Sequence, residues 1–181
     1  MYRERMETLK EWKVSKNRKP LIIRGARQVG KTWLMKEFGK LYYEKCAYIN
    51  FDNNSRMDIL FNEEFDLDRI IQGLKIESGI NIEPENTLII FDEIQETPKA
   101  LKTLKYFYEN ANEYHIVAAG SLLGVAMHQG TSFPVGKVNF MDLMPLSFFE
   151  FLDALGQEHL LNLLKNNEFD MISVFNNKYK D

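Results

Sequence analysis

The sequence predicts a three-layer α/β/α fold around a five-stranded, mostly parallel sheet. Three observations point to it. Short apolar runs alternate with amphipathic helical runs from residue 21 onward, as in sheets covered on both faces. Residues 87–91 ("TLIIF") are apolar on both faces, as suits a strand buried inside a parallel sheet. A glycine-containing loop at 25–32 ("GARQVGKT") stands between the first apolar run and the first helical one.

The elements follow in order. Tyr2, Met6, Leu9 and Trp12 are spaced by four, three and three, which is one face of an amphipathic helix. Arg3, Arg5, Lys10 and Lys13 make its other face basic; the ordinary reading is a solvated face, and a nucleic-acid or lipid contact is the alternative. A strand is predicted over 21–24, after Pro20. A helix over 32–41 offers Trp33, Leu34, Phe38 and Leu41 to a core, and a second strand runs over 46–51 ("CAYINF"). A helix over 66–78 brings Leu67, Ile70, Ile71 and Leu74 into register. After the strand at 87–91, Pro98 suits the first turn of a helix bearing Leu101, Leu104, Tyr106, Phe107 and Tyr108. Strands are predicted over 114–119 and 138–143, and helical patterns over 147–155 and 158–165. Met171, Ile172, Val174, Phe175 and Tyr179 crowd the end of the sequence. This is expected of a chain that stops inside or just before a further domain; a C-terminal helix packed on the core is the alternative.

Composition narrows the function classes. The 181 residues suit one domain, or one plus the start of another. A formal net charge of -3 gives no global basic field of the kind that advertises nucleic-acid binding. The single Cys46 cannot form an intramolecular disulfide and reads as a buried structural thiol. No apolar stretch approaches the roughly 20 residues needed to span a bilayer, and residues 1–19 are charged throughout. A soluble, cytoplasmic protein without a membrane partner is expected. His115, His128 and His159 are scattered without ligand spacing, which argues against a zinc site.

The loop carries the chemistry. Gly25, Gly30, Lys31 and Thr32 match G-x-x-x-x-G-K-[ST], the Walker A pattern of P-loop NTPases. Glycines let the backbone approach phosphates without a Cβ in the way. The loop N–H groups and the positive end of the following helix then face the anion. The phosphate cradle is therefore Gly25, Ala26, Arg27, Gln28, Val29, Gly30, Lys31, Thr32 and Trp33. Lys31 neutralises the β- and γ-phosphates, and the Thr32 hydroxyl ligates Mg²⁺. Arg27 either contacts nucleotide or pairs with a surface acid. The expected cofactors are ATP and Mg²⁺.

An acidic pair completes the machinery. In "LIIFDEIQ", Asp92 and Glu93 end an apolar strand, the position at which open parallel sheets bind ligands. Asp92 is placed to hold Mg²⁺, and Glu93 to accept a proton from the attacking water. Ser121, in "VAAGSLLG", falls where a γ-phosphate sensor belongs, with a helix N-cap as its alternative. The expected catalytic set is Glu93, Lys31 and Ser121. Asn50, near the end of the second strand, is a candidate to hold Glu93 away from water in an idle state.

On "RKPLIIRGARQVGKT", "YINFD", "LIIFDEIQ", "AAGSLLG", "SFPVGKV" and "LMPLSFFEFL", in that order, the chain resembles the prokaryotic AAA-type ATPases of the AAA_14 group. These are usually followed by a DUF4143 domain. The resemblance spans about residues 18–155. It implies the AAA/ASCE type of P-loop fold, with the phosphate-loop strand beside the sensor strand, and a second domain after about residue 180. The division implied is 1–19 an amphipathic helix, 20–145 the ATPase core, and 146–181 a helical segment leading onward. Many relatives carry Gly-Arg where this chain has Gly136-Lys137, and no arginine follows Arg69. Lys137 replaces such a group only in part, lacking the planar fork that grips phosphate.

The expected function is Mg-dependent ATP binding and slow hydrolysis by a nucleotide-driven switch. The alternative is a non-hydrolysing ATP-binding module that needs a partner or a further domain for turnover. A homo-oligomer or a protein partner is left open, and nucleic acid is left open without support. A GTPase is disfavoured because "NKYK" at 177–180 lacks the guanine-reading aspartate. A kinase is disfavoured because no late arginine is available for a lid.

Overall fold

The computed structural model describes residues 3–62, 66–120, 134 and 136–174. The chain divides into two compact units: Arg5–Met144, and Met1–Glu4 with Pro145–Asp181. The larger unit contains α1 (Arg5–Val14), β1 (Leu21–Arg24), α2 (Lys31–Tyr42), β2 (Lys45–Asn50), α3 (Ser55–Asn62) and α4 (Leu67–Ser78). It continues with β3 (Thr87–Asp92), a 3-10 turn (Ile94–Glu96), α5 (Pro98–Asn110), β4 (His115–Gly120) and β5 (Asn139–Asp142). No described helix is long and apolar enough to cross a membrane.

The five strands form one sheet in the order β2-β3-β4-β1-β5. Every pairing is parallel. β1 lies between β4 and β5, with Arg24 opposite Gly120 on one side and Asp142 on the other. β3 lies between β2 and β4, with Asp92 opposite Asn50 and Ala119. The phosphate-loop strand is thus the neighbour of β4, as the resemblance implies.

Alternation along the strands builds two cores. Ile22, Ile49, Ile89, Phe91, Ile116 and Ala118 bury one face under Met57 and Phe61 of α3, Ile70 and Leu74 of α4, and Leu104 and Phe107 of α5. Leu21, Ile23, Leu88, Ile90, Val117 and Met141 bury the other under Leu9 and Trp12 of α1 and Leu34, Met35 and Phe38 of α2. All six residues of β3 and all six of β4 are buried. This is the three-layer arrangement.

Several local expectations change. Leu41 is 54% exposed. The buried arc of α2 centres on Met35 and Phe38, and at 100° per residue Leu41 stands about a quarter turn away from it. The expected basic face of the first helix holds only in part: Arg5 is exposed, while Arg3, Lys10 and Lys13 are engaged. Arg3 precedes the helix and is buried beside Glu150. Lys10 pairs with Glu7. Lys13 lies 4.1 Å over the Tyr43 ring and donates to the Tyr42 carbonyl. Tyr2 lies outside the described residues. The sequence reading passed over α3, whose Met57 and Phe61 sit one helical turn apart behind the turn-forming Asn53-Asn54-Ser55.

The smaller unit holds α6 (Phe148–Ala154), α7 (Glu158–Lys165) and α8 (Phe169–Val174). Ser147 and Glu150 form a reciprocal capping box at the start of α6. Glu150 also accepts from the Glu4 N–H and sits 3.3 Å from the Arg3 guanidinium.

Candidate active site

The carboxyl edge of the sheet places the loop. At the end of β1, Arg24 donates two hydrogen bonds of 2.8 Å to Asp142 of β5, so this cation serves the sheet. The chain then turns through residues 25–30. A Cβ on Gly25 would stand 2.3 Å from the Leu143 carbonyl oxygen, so only glycine fits against the neighbouring strand. Gln28 and Gly30 take left-handed backbone, with φ of 64° and 90°. Val29 is buried, while Ala26, Arg27 and Gln28 are exposed. Helix α2 begins immediately, aiming its amino-terminal N–H groups at the loop.

Lys31, only 6% exposed, folds its ammonium onto the loop's own carbonyls, 2.9 Å from Gly25 O and 2.7 Å from Ala26 O. Burial holds its pKa below the usual ammonium range, against the pull of Glu93 and Asp92. The Thr32 hydroxyl donates to Asp92 Oδ2 at 2.7 Å, and the Tyr48 hydroxyl donates to the same oxygen at 3.0 Å. Asp92 is 4% exposed, and its other oxygen, Oδ1, is buried with no hydrogen-bond partner. Burial foremost, and then the nearby Asp92 and Glu93 carboxylates, push the Tyr48 phenol up and keep it protonated.

Glu93 follows in a left-handed conformation, φ 53°, which breaks the strand and turns its carboxylate out of the sheet. Gln95 Nε2 donates to Glu93 Oε2 at 2.6 Å. A cavity of about 590 Å³ lies over these groups. Its walls are Arg27, Gln28, Gly30, Lys31, Thr32 and Trp33 on the loop side, and Asp52, Glu93, Gln95 and Glu96 on the other.

The residues fit a divalent cation held between a hydroxyl and a carboxylate. A buried carboxylate oxygen without a donor is costly unless a positive charge or water completes it. Thr32 can give its proton to Asp92 while turning an oxygen lone pair outward. Hard oxygen donors of this kind suit Mg²⁺.

The structure therefore brings Lys31, Thr32, Asp92, Glu93, Arg27 and Trp33 to one place. Ser121 lies outside the described residues. Asn50 is engaged locally: its side-chain oxygen accepts from the Asp52 N–H at 3.1 Å, and the amide seen on Glu93 belongs to Gln95. Lys137 is on the other side of the sheet. It precedes β5, at the amino-terminal edge, and pairs with Glu109 at 2.8 Å. It cannot reach this chain's own phosphate loop. Tyr48, Asp52, Gln95 and Glu96 were not singled out by the sequence reading. The only sequence signal for Tyr48 is its place two residues before the end of the strand, on the same side as Asn50.

The family model AAA_14, an AAA domain, matches residues 17–152. The chain belongs to the AAA_14 family. The fold of this AAA domain is similar to that of the Walker-type ATPase PABY2304 of Pyrococcus abyssi. That match has a TM-score of 0.55 and 17% identity, covering 94% of this chain and 62% of the other. The ORC1 protein of Aeropyrum pernix, solved in complex with DNA, matches with a TM-score of 0.49 and 16% identity, covering 87% of this chain and 50% of the other. No curated protein matches the chain. The AAA domain thus spans less than two thirds of the length of either structural relative.

Proposed function

We propose that this AAA domain binds Mg-ATP at the carboxyl edge of its sheet and hydrolyses it slowly as a nucleotide-driven switch. One observation supports this above the others. Thr32 and Glu93 line the cavity over the phosphate loop, and Asp92, bonded to the Thr32 hydroxyl through Oδ2, keeps a buried Oδ1 with no hydrogen-bond partner.

The residues divide the work. The loop amides from Gly25 to Thr32, with the amino terminus of α2, receive the phosphates. Lys31 exchanges its two loop carbonyls for phosphate oxygens, which are stronger, charged acceptors. Thr32 and Asp92 hold Mg²⁺, which, when bound, neutralises charge on the β- and γ-phosphates. Glu93 accepts a proton from the water that attacks the γ-phosphorus, as the bond to the ADP oxygen breaks. Gln95 fixes the direction of that carboxylate. Ser121 is proposed as the γ-phosphate sensor, and Arg27 and Trp33 as nucleotide contacts. The core is taken as residues 20–145, and a cytoplasmic location accompanies this reading.

Turnover by these 181 residues is expected to be slow, unless a further domain or a partner supplies the charge, because none after Arg69 is an arginine and Lys137 is held at the far edge by Glu109. The same observation favours the second reading, a nucleotide-gated module that hydrolyses only when a partner or a further domain supplies the charge. Titrating Mg-ATP while following phosphate release separates the two. Wild type is expected to release phosphate, and Glu93→Gln to bind ATP without releasing it. Binding without release by both proteins would leave the gated module in place.

A further inference from the structure

Asp92 receives two hydroxyl donors, and both go to the same oxygen. Thr32 and Tyr48 converge on Oδ2 at 2.7 and 3.0 Å, while Oδ1 is buried with no partner. A carboxylate held this way cannot rotate without breaking both bonds. Tyr48 comes from β2, the strand paired with β3, and Thr32 from α2. Independent elements thus fix one orientation of the group. Lys36, one turn beyond Thr32 on α2, stands 3.5 Å over the Tyr48 ring. The attraction between this cation and the ring face helps hold the Tyr48 ring in place.

We infer that Tyr48 is a positioning residue for the divalent cation, holding Asp92 through Oδ2 so that Oδ1 is kept for the metal. The inference rests on the Mg-ATP reading above. Tyr48 contacts neither nucleotide nor metal in this role. It acts through Asp92, as outer-shell partners of metal ligands do, and loss of such a partner typically weakens metal binding by about 10- to 100-fold.

The test is thermodynamic linkage and needs no turnover. The affinity of a fluorescent ATP analogue is measured in EDTA and across a Mg²⁺ titration, for wild type, Tyr48→Phe, Asp92→Asn and the double variant. Tyr48→Phe keeps the ring under Lys36 and loses only the hydroxyl, and its melting temperature is recorded alongside. The expected result is unchanged affinity in EDTA and an enhancement by Mg²⁺ about 10-fold smaller than in wild type. In the Asp92→Asn background, Tyr48→Phe should make no further difference. Three results would each overturn the inference: an enhancement equal to wild type, a parallel loss in EDTA, or a loss that persists in Asp92→Asn. These leave the Mg-ATP reading standing. A wild type that binds no analogue in either buffer removes both readings.

Discussion

Gly25 and Gly30 hold the phosphate loop for different reasons, and the difference is measurable. At Gly25 the obstacle is space, since a new Cβ would meet the Leu143 carbonyl and then Val29. Backbone cannot give way cheaply, so Gly25→Ala should cost about 1–3 kcal/mol and abolish ATP binding. At Gly30 the space is open and the obstacle is φ, +90°, so Gly30→Ala should cost about 1–2 kcal/mol. Urea unfolding with and without nucleotide distinguishes them. His115 gives the pH dependence. It shares a 2.7 Å hydrogen bond with Tyr43, its Nε2 is buried without a partner, and burial pushes its pKa down to about 4. An unfolded histidine titrates near 6.5, so between about 6.5 and 4 the unfolded chain takes up a proton that the native one refuses. Stability contributed by neutral His115 is present above about pH 6.5 and is lost as pH falls toward 4, by about 2 kcal/mol at pH 4.5. In His115→Gln that part of the difference in urea midpoint between pH 7.5 and 4.5 should vanish.

At the scale of elements, one carboxylate organises the start of α6. Glu150 caps the Ser147 N–H, accepts from the Glu4 N–H, and neutralises Arg3, all in a setting where both charged side chains are nearly fully buried. Removing one partner of a buried pair leaves a charge without compensation, which costs about 3–5 kcal/mol. Glu150→Ala should therefore lower the helical signal and expose residues 145–174 to protease, while Ser147→Ala, which loses one cap bond, should cost only about 1 kcal/mol. Limited proteolysis and circular dichroism read both. On α4, Asp66 performs the simpler version of the same task, accepting from the Asp68 and Arg69 N–H groups at 3.0 and 3.2 Å.

At the scale of the whole molecule, the sheet separates its two edges by function. The carboxyl edge gathers the loop, Asp92 and Glu93. The amino-terminal edge gathers Lys19 and Lys137 around Tyr108, with Glu109 pairing Lys137. A cation confined to the second edge cannot assist chemistry at the first within one chain. Lys137→Ala should leave the basal ATPase rate of the isolated chain unchanged within about twofold, measured by phosphate release. Ligand linkage should act on the folded state as a unit, Mg-ATP at 100 times its Kd adding about 2.7 kcal/mol. Lys31→Ala should lose that gain in a thermal melt, and Glu93→Gln should keep it.

The alternation of apolar runs announced a parallel sheet covered on both faces, though not α3, and the family resemblance rested on six stretches between about residues 18 and 155, of which the motif at 25–32 is one. Such patterns report periodicity and local backbone demand, which are properties of neighbours in the chain. Lys31, Thr32, Asp92 and Glu93 were legible for the same reason, because each sits at a fixed offset from a strand end. Tertiary structure alone decided how these groups are held. The bond from Tyr48 to Asp92 spans 44 positions and that from Thr32 to Asp92 spans 60, and each exists only because β2, β3 and α2 pack together. The clasp of Gln95 on Glu93 is close in sequence, yet it follows from a left-handed turn that the residues Asp-Glu-Ile do not announce. Lys137 shows the converse: it precedes β5, and the parallel pairing of β5 with β1 puts it at the amino-terminal edge of the sheet, away from the loop that ends β1. Sequence spacing selects which chemistry is on hand, and packing selects which atoms of that chemistry meet.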